Sequence, residues 1–262
     1  MDVRPLKISL LLVPRQRNIG TFYKVLLQKR MKNMFDPRSP VGLLHNQMDG
    51  ITREILSQEV LANQSWLDLG CGLKPFSSCF DHAEYIGIDV QDGGAEEAMK
   101  NADLYFDGLN IPFGENQFDG ILCTQVLEHA TDSELLVREC NRVLKPGGTL
   151  IVSVPFLYRE HGQPYDFRRF TSYGLLRILE QEGFKVPTLI KCMSTFETLA
   201  TLFCCHISNT YGSKSKWAYR LTSYLIVAPT LILAKLLSGN PRIDRDTYLV
   251  LIAIGKKEST IN

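Results

Sequence analysis

The chain has 262 residues, 45% of them hydrophobic and 22% charged, with a formal net charge of +1. That length supports one well-packed core, as a single large domain or a domain with an elaboration, and the composition is that of an ordinary globular protein. Seven Cys with no CxxC pair, and no His at metal-ligand spacing, argue against a disulfide frame or a zinc site; no metal is expected, and reduced thiols fit a cytoplasmic setting.

The near-neutral total hides an asymmetry. Residues 1–38 carry nine Lys or Arg against Asp2 and Asp36, a net of +7, which leaves −6 on the remainder. Such a basic arm reads first as a solvated helix face and second as contact with a phosphate-bearing surface. Its short apolar run ends in Pro14-Arg15 without a small-residue cleavage site, which argues against a signal peptide. Next, "PVGLLHNQMDGITREILSQEVL" has helical periodicity, with Leu43, Leu44, Met48, Ile51, Ile55 and Leu56 near one face.

Short apolar runs follow at Ser65–Leu69, Tyr85–Val90, Asp103–Phe106, Phe118–Thr124 and Thr149–Pro155, separated by helical or loop stretches. Between the last two, Thr131 and Glu134 form the pattern of a capping box, and "KPGG" (145–148) stops the helix. A further helix is expected from Ser172 to Glu182, with Thr171 as N-cap and Gly183 just past its end. A weak strand near Leu189–Met193 and a long apolar strand in "TYLVLIAIG" complete the pattern.

Alternating strands and helices predict an α/β fold: a doubly wound, mostly parallel sheet with helices on both faces. Residues 195–243 are too many for a simple connection and are expected to form an inserted apolar cap on a domain spanning 39–262. Within them Leu221–Ala234 is charge-free, but its fourteen residues fall short of the roughly 20 a bilayer requires, and Pro229 interrupts them. Cys204–Cys205 reads as buried small residues or, less readily, as a lipidation site.

The stretch "WLDLGCGLKP" (66–75) carries the first chemical signal. A strand ends in Asp68, and Gly70-Cys71-Gly72 lets the backbone turn tightly and approach a ligand. Nineteen residues past Gly70, "YIGIDV" (85–90) brings Asp89 to the end of a second strand, a carboxylate placed to accept from ribose hydroxyls. A dinucleotide site would want a third small residue at position 75 to pack the helix over a pyrophosphate. Pro75, preceded by bulky Lys74, does not supply it, so a nucleoside cofactor without pyrophosphate fits better.

From Leu67 to Phe156, "LDLGCGLKP…YIGIDV…ADLYFDGLNIPFGENQFDGILCTQVLEHATDSELLVRECNRVLKPGGTLIVSVPF" resembles class I S-adenosylmethionine-dependent methyltransferases, whose fold is a seven-stranded Rossmann-like sheet. The likeness is greatest to those with "LEH" after the fourth strand and "RVLKPGG" before the fifth, and it covers about residues 60–190. It implies that Asp68, Gly70, Cys71 and Gly72 surround the methionine part of the cofactor and that Asp89 binds the ribose. It further implies that Asp107 accepts from the adenine amino group beside Gly108, and that Gln125 lies near the methyl group or the acceptor. Glu128 and His129 read equally as packing and as pocket wall, and Asp119 as a strand-start residue that turns its loop.

After the fifth strand, where ligands gather in doubly wound sheets, stands "HGQPYDFRRFT" (161–171). His161 is its one side chain with an ordinary pKa near neutrality and is the candidate base. Asp166 is either a second base, an orienter of His161, or an ion-pair partner of Arg168 or Arg169. Arg169 is a candidate for gripping an acceptor phosphate or carboxylate, Tyr165 for stacking on a sugar ring, and His129 for lining the same pocket. The segment also resembles one in methyltransferases associated with glycan and cell-surface polymer biosynthesis.

The combined expectation is S-adenosylmethionine-dependent O-methylation of a sugar or sugar-bearing lipid precursor. Other acceptors (a quinone, an acyl compound, an amine) and a non-catalytic cofactor-binding module are the alternatives. No specific nucleic-acid partner is expected, because the body is acidic and "TQVLEH" stands where a nucleic-acid methyltransferase motif would. Residues 1–38 and 221–237 together suggest peripheral contact with an anionic membrane surface.

Overall fold

The computed structural model describes residues 40–91, 101–211, 215–238 and 246–259, so the basic arm lies outside the described residues. Two compact units are present: one from residues 49–193 and 245–262, the other including residues 194–244. The first is the sheet unit. Its seven strands are β1 (Ser65–Leu69), β2 (Glu84–Val90), β3 (Leu104–Phe106), β4 (Phe118–Thr124), β5 (Leu144–Pro155), β6 (Phe184–Cys192) and β7 (Val250–Lys257), in the order β3-β2-β1-β4-β5-β7-β6. The pairings from β3 through β5 are parallel, and β7 runs antiparallel between β5 and β6.

Central strands such as "ILCT" and "LIVSVP" are apolar almost throughout because both of their faces are covered. Leu67, Leu69, Ile121, Leu150 and Leu251 are fully buried in one core with Leu136, Val143, Leu175 and Leu179. Those last four come from the helices α2 (Ser133–Val143) and α3 (Ser172–Gln181), which follow α1 (Pro40–Glu59) in chain order.

Three boundaries differ from the sequence reading. The N-cap of α2 is Asp132, whose carboxylate accepts from the Leu135 amide at 2.9 Å, rather than Thr131, whose carbonyl accepts from Arg168. Strand β6 begins at Phe184, five residues before the expected Leu189; Pro187, which cannot donate to a ladder, falls where its register against β7 breaks. The fifth strand begins at Leu144, so "KPGG" lies inside β5. For α3 the expectation holds: Thr171 accepts from the Gly174 amide at 3.0 Å, and Gly183 takes φ +83°.

The second unit contains α4 (Thr195–Tyr211), α5 (Lys216–Thr222), a π-helical turn (Ser223–Val227) and α6 (Ala228–Ser238). Pro229 lacks an amide and crowds the preceding turn, and the wide π turn just before α6 accommodates it; Thr230 Oγ1 donates to the Ile226 carbonyl at 2.7 Å. Cys204 packs with Ala200, Val227, Leu231 and Ala234, and Cys205 is also buried, as small residues in a helix contact should be. Among the described residues no helix is long and apolar enough to cross a membrane.

Candidate active site

Strand order reverses between β1 and β4, so their carboxyl ends open a crevice where the outgoing chains diverge. Both chains turn through backbone conformations that side chains resist. Gly70 has φ +73°, and a Cβ there would lie 2.4 Å from Val126 Cγ2, so only glycine lets the β1 and β4 loops meet. Gly72 has φ +50°, and a Cβ there would meet nothing within 4 Å, so the loop leaves open space beside its backbone. At the end of β4, Gln125 has φ +55°, a left-handed conformation held by its amide's bond to the Ser153 carbonyl and by its side chain on Ser153 Oγ.

Asp68 is the most perturbed acid in this crevice. It is 1% exposed, Oδ2 accepts from Tyr85 Oη at 2.5 Å, and Oδ1 has no hydrogen-bond partner among the described residues. Burial, opposed by the Tyr85 bond and reinforced by Asp89, pushes its pKa up to about 6. Burial likewise pushes the Cys71 thiol up to about 12, so it stays protonated. Asp89 accepts from the Gly72 amide at 2.9 Å and the Val90 amide at 2.7 Å, which ties the end of β2 to the glycine loop.

Asp107, by contrast, is exposed and folds onto its own turn. Its oxygens accept from the Leu109 and Asn110 amides and from the Asn110 side chain, which together hold its pKa below the ordinary range, the Asn110 side chain contributing most. Gly108 beside it takes φ +83°. Asp119 does the structural work expected of it, accepting from the Ser65 amide and pairing with Lys145 at 2.8 Å.

The stretch 161–171 is sewn to the loop after β4. Arg168 donates to the Ala130 and Thr131 carbonyls, the Phe167 amide donates to the Glu128 carbonyl, and His129 Nδ1 lies 2.8 Å from the Tyr165 carbonyl. Within the stretch, Arg169 Nη1 donates to Asp166 Oδ1 and the Arg168 carbonyl, Nη2 to Asp166 Oδ2 and the Arg159 carbonyl, and Nε to the Tyr158 carbonyl. All five guanidinium N–H groups are thereby engaged. Arg169 is not free to grip an acceptor, which corrects the substrate-binding expectation for it.

The role of Asp166 as a base is corrected on the same geometry. The Arg169 guanidinium, helped by the His161 amide, holds this carboxylate far below the ordinary range, so it is a poor proton acceptor at neutral pH. It stands 3.3 Å from His161 Nδ1 without a hydrogen bond between the side chains, and accepts instead from the His161 backbone amide.

On the far side of His161, Nε2 lies 3.7 Å from Oε1 of Glu128, and His129 Nε2 lies 3.9 Å from the same atom. The Glu128 carboxylate raises the His161 pKa, outweighing burial, and Asp166 adds to it. Glu128 is 0% exposed, and neither of its oxygens has a hydrogen-bond partner among the described residues. In sequence Glu128 reads equally as packing and as pocket wall; its "LEH" setting marks the position but not its isolation. Tyr165 and Phe167 stand exposed beside the cluster with their rings edge to face.

Residues 67–152 match the methyltransferase domain family. Among curated relatives, a ubiquinone biosynthesis O-methyltransferase of Coxiella burnetii is 26% identical over 173 residues, covering 60% of this chain and 74% of the relative. One of the same description from Pseudomonas aeruginosa is 28% identical over 160 residues, covering 50% and 68%. Among solved structures, phosphoethanolamine N-methyltransferase 2 of Haemonchus contortus, in complex with S-adenosyl-L-methionine, superposes with a TM-score of 0.52 at 16% identity, covering 80% of this chain and 53% of that one. The chain thus carries a methyltransferase domain on the class I fold. It is an S-adenosylmethionine-dependent methyltransferase.

Proposed function

We propose that this protein transfers the methyl group of S-adenosylmethionine to a hydroxyl oxygen of a small ring-bearing acceptor, a sugar or a sugar-bearing lipid precursor. The observation that carries the cofactor half is Asp68, a buried carboxylate with one oxygen unpartnered among the described residues, at the mouth of a glycine loop with open space beside it. An ammonium such as the cofactor's would supply the missing donors and favour the charged carboxylate. Asp89, near the end of β2 and tied to the Gly72 amide, is the residue for the ribose hydroxyls, and Gly70, Cys71 and Gly72 give the backbone close approach. Asp107 and Gly108 border the adenine, and Gln125 the sulfonium end.

When bound, the cofactor supplies an activated methyl group, and what the protein adds is chiefly alignment of the acceptor with it. An alcohol acceptor must also lose a proton, and His161, His129 and Glu128 are the groups at hand on the acceptor side. Tyr165 offers a face on which a sugar ring can stack. The relatives named for ubiquinone biosynthesis favour a second reading, a phenolic or quinol hydroxyl, for which the same aromatic rim would serve.

Membrane-surface contact belongs to this proposal as well. Trp217, Leu221, Leu225, Leu233 and Leu236 of the helical unit are large apolar side chains exposed to solvent, as an interfacial helix requires. The test is incubation with methyl-labelled cofactor and fractionated cell extract. Label in glycolipid or sugar fractions supports the first acceptor, label in quinone lipids the second, and label only in nucleic acid or protein contradicts both.

A further inference from the structure

Methyl transfer alone does not account for Glu128. A carboxylate fully removed from water, with no hydrogen bond to either oxygen among the described residues, is costly to keep charged unless a cation sits against it. Among the described residues no Lys or Arg is paired with it; what approaches is the Nε2 edge of two imidazoles, from His129 and His161. One donor atom from each of the three residues lies within 4.8 Å of the others, wider than the about 3.4 Å between tetrahedral donors of a shared ion, so small ring rotations must draw them together as the ion binds.

The backs of the two rings decide which nitrogen is available. His129 Nδ1 meets the Tyr165 carbonyl, which only accepts, so Nδ1 carries the proton and Nε2 keeps its lone pair. His161 Nδ1 lies 3.3 Å from the Asp166 carboxylate without a hydrogen bond among the described residues, that carboxylate being fixed by Arg169 and by the His161 amide, and Nε2 is the ring nitrogen turned toward Glu128. A histidine backed by a carbonyl or carboxylate, with its other nitrogen turned to a shared point, is the usual outer support of a metal ligand.

We propose that Glu128, His129 and His161 bind one divalent first-row transition ion. Two imidazoles and a carboxylate with no thiolate among them suit an ion of the zinc or iron(II) kind. Because both imidazoles are partly exposed, at 27%, the ion keeps positions open toward solvent. Those open positions are where the acceptor hydroxyl would bind. Coordinated there, it loses its proton to water more readily than a free alcohol does. This inference deepens the methyl-transfer reading: His161 and His129 act as ligands, and the acceptor is an oxygen compound. The pair is separated by 32 positions in sequence, so no spacing rule reveals it.

The test uses the full chain stripped with chelator and titrated with Co2+ alone, followed by visible absorption. One equivalent should bind with d–d bands of a nitrogen–oxygen site and no intense thiolate band. Glu128→Gln, nearly isosteric, and His161→Ala should each weaken binding at least about a hundredfold, and Asp166→Asn roughly ten- to a hundredfold. Binding that is absent in the wild type, or equal in Glu128→Gln and the wild type, overturns the metal site. Binding of S-adenosylhomocysteine, measured on the same samples, separates the two claims. Its retention without cobalt binding overturns the ion alone, whereas its absence in the wild type overturns the methyl-transfer reading.

Discussion

Replacing Asp68 with asparagine gives the most quantitative handle on the cofactor crevice. Burial raises the Asp68 pKa from 3.8 to about 6, so the folded protein holds this proton more tightly than the unfolded chain does. The folded state therefore binds more protons between about pH 4 and pH 6, and stability falls as pH rises through that window. A shift of about 2 pKa units corresponds to a loss of about 3 kcal/mol, absent below pH 4 and complete above pH 6. The substituted amide has no proton to lose, and its carbonyl can still accept from Tyr85. The stability of Asp68→Asn relative to the wild type should therefore improve by about 3 kcal/mol between pH 4 and pH 7. Urea unfolding of both proteins without cofactor at the two pH values measures this. A second arm tests function: losing a charged acceptor for the cofactor's ammonium should weaken S-adenosylhomocysteine binding about ten- to a hundredfold. If the stability difference does not change with pH, the account of Asp68 as a buried, under-partnered carboxylate is wrong.

Other perturbations probe the remaining parts of the site. Gly70→Ala forces a Cβ onto Val126 Cγ2 in a left-handed backbone; it should lower the melting temperature, and adding Val126→Ala should recover the overlap part but not the roughly 1–2 kcal/mol of backbone strain. Arg169→Lys cannot replace five fork-shaped donors, so amide exchange should rise across residues 156–171 while S-adenosylhomocysteine affinity stays at the wild-type value; unchanged exchange would show that Arg169 does not hold the loop. In the helical unit, Trp217→Ser with Leu236→Ser should reduce flotation with anionic vesicles severalfold, and a wild type that never floats removes the membrane contact from the account.

The glycine-loop geometry at the candidate cofactor crevice is legible in sequence because its determinants are local. A strand-ending Asp68, the glycines at 70 and 72, and Asp89 closing the next strand are each set by backbone geometry within a few residues. The sheet could be read for the same reason, its buried strands being short apolar runs between turn signals. What stayed hidden depends on segments meeting in space. Arg169 looks like an anion grip until the Tyr158, Arg159 and Arg168 carbonyls and Asp166 are seen to take all its donors. Thr131 looks like the cap of α2 until Arg168 claims its carbonyl and Asp132 reaches the helix instead. Glu128 looks like an ordinary helix-approach residue, since nothing in "LEH" says that both oxygens end up dry and facing two imidazoles.

The central claim is methyl transfer to an acceptor hydroxyl, and one measurement meets it directly. The protein is incubated with S-adenosylmethionine carrying a trideuterated methyl group and a lipid and small-molecule extract, and the products are analysed by mass spectrometry and NMR. The account predicts stoichiometric S-adenosylhomocysteine together with a product whose trideuteromethyl group sits on a ring oxygen. Label on nitrogen or carbon, or a protein that binds the cofactor but never yields S-adenosylhomocysteine with any fraction, would contradict it.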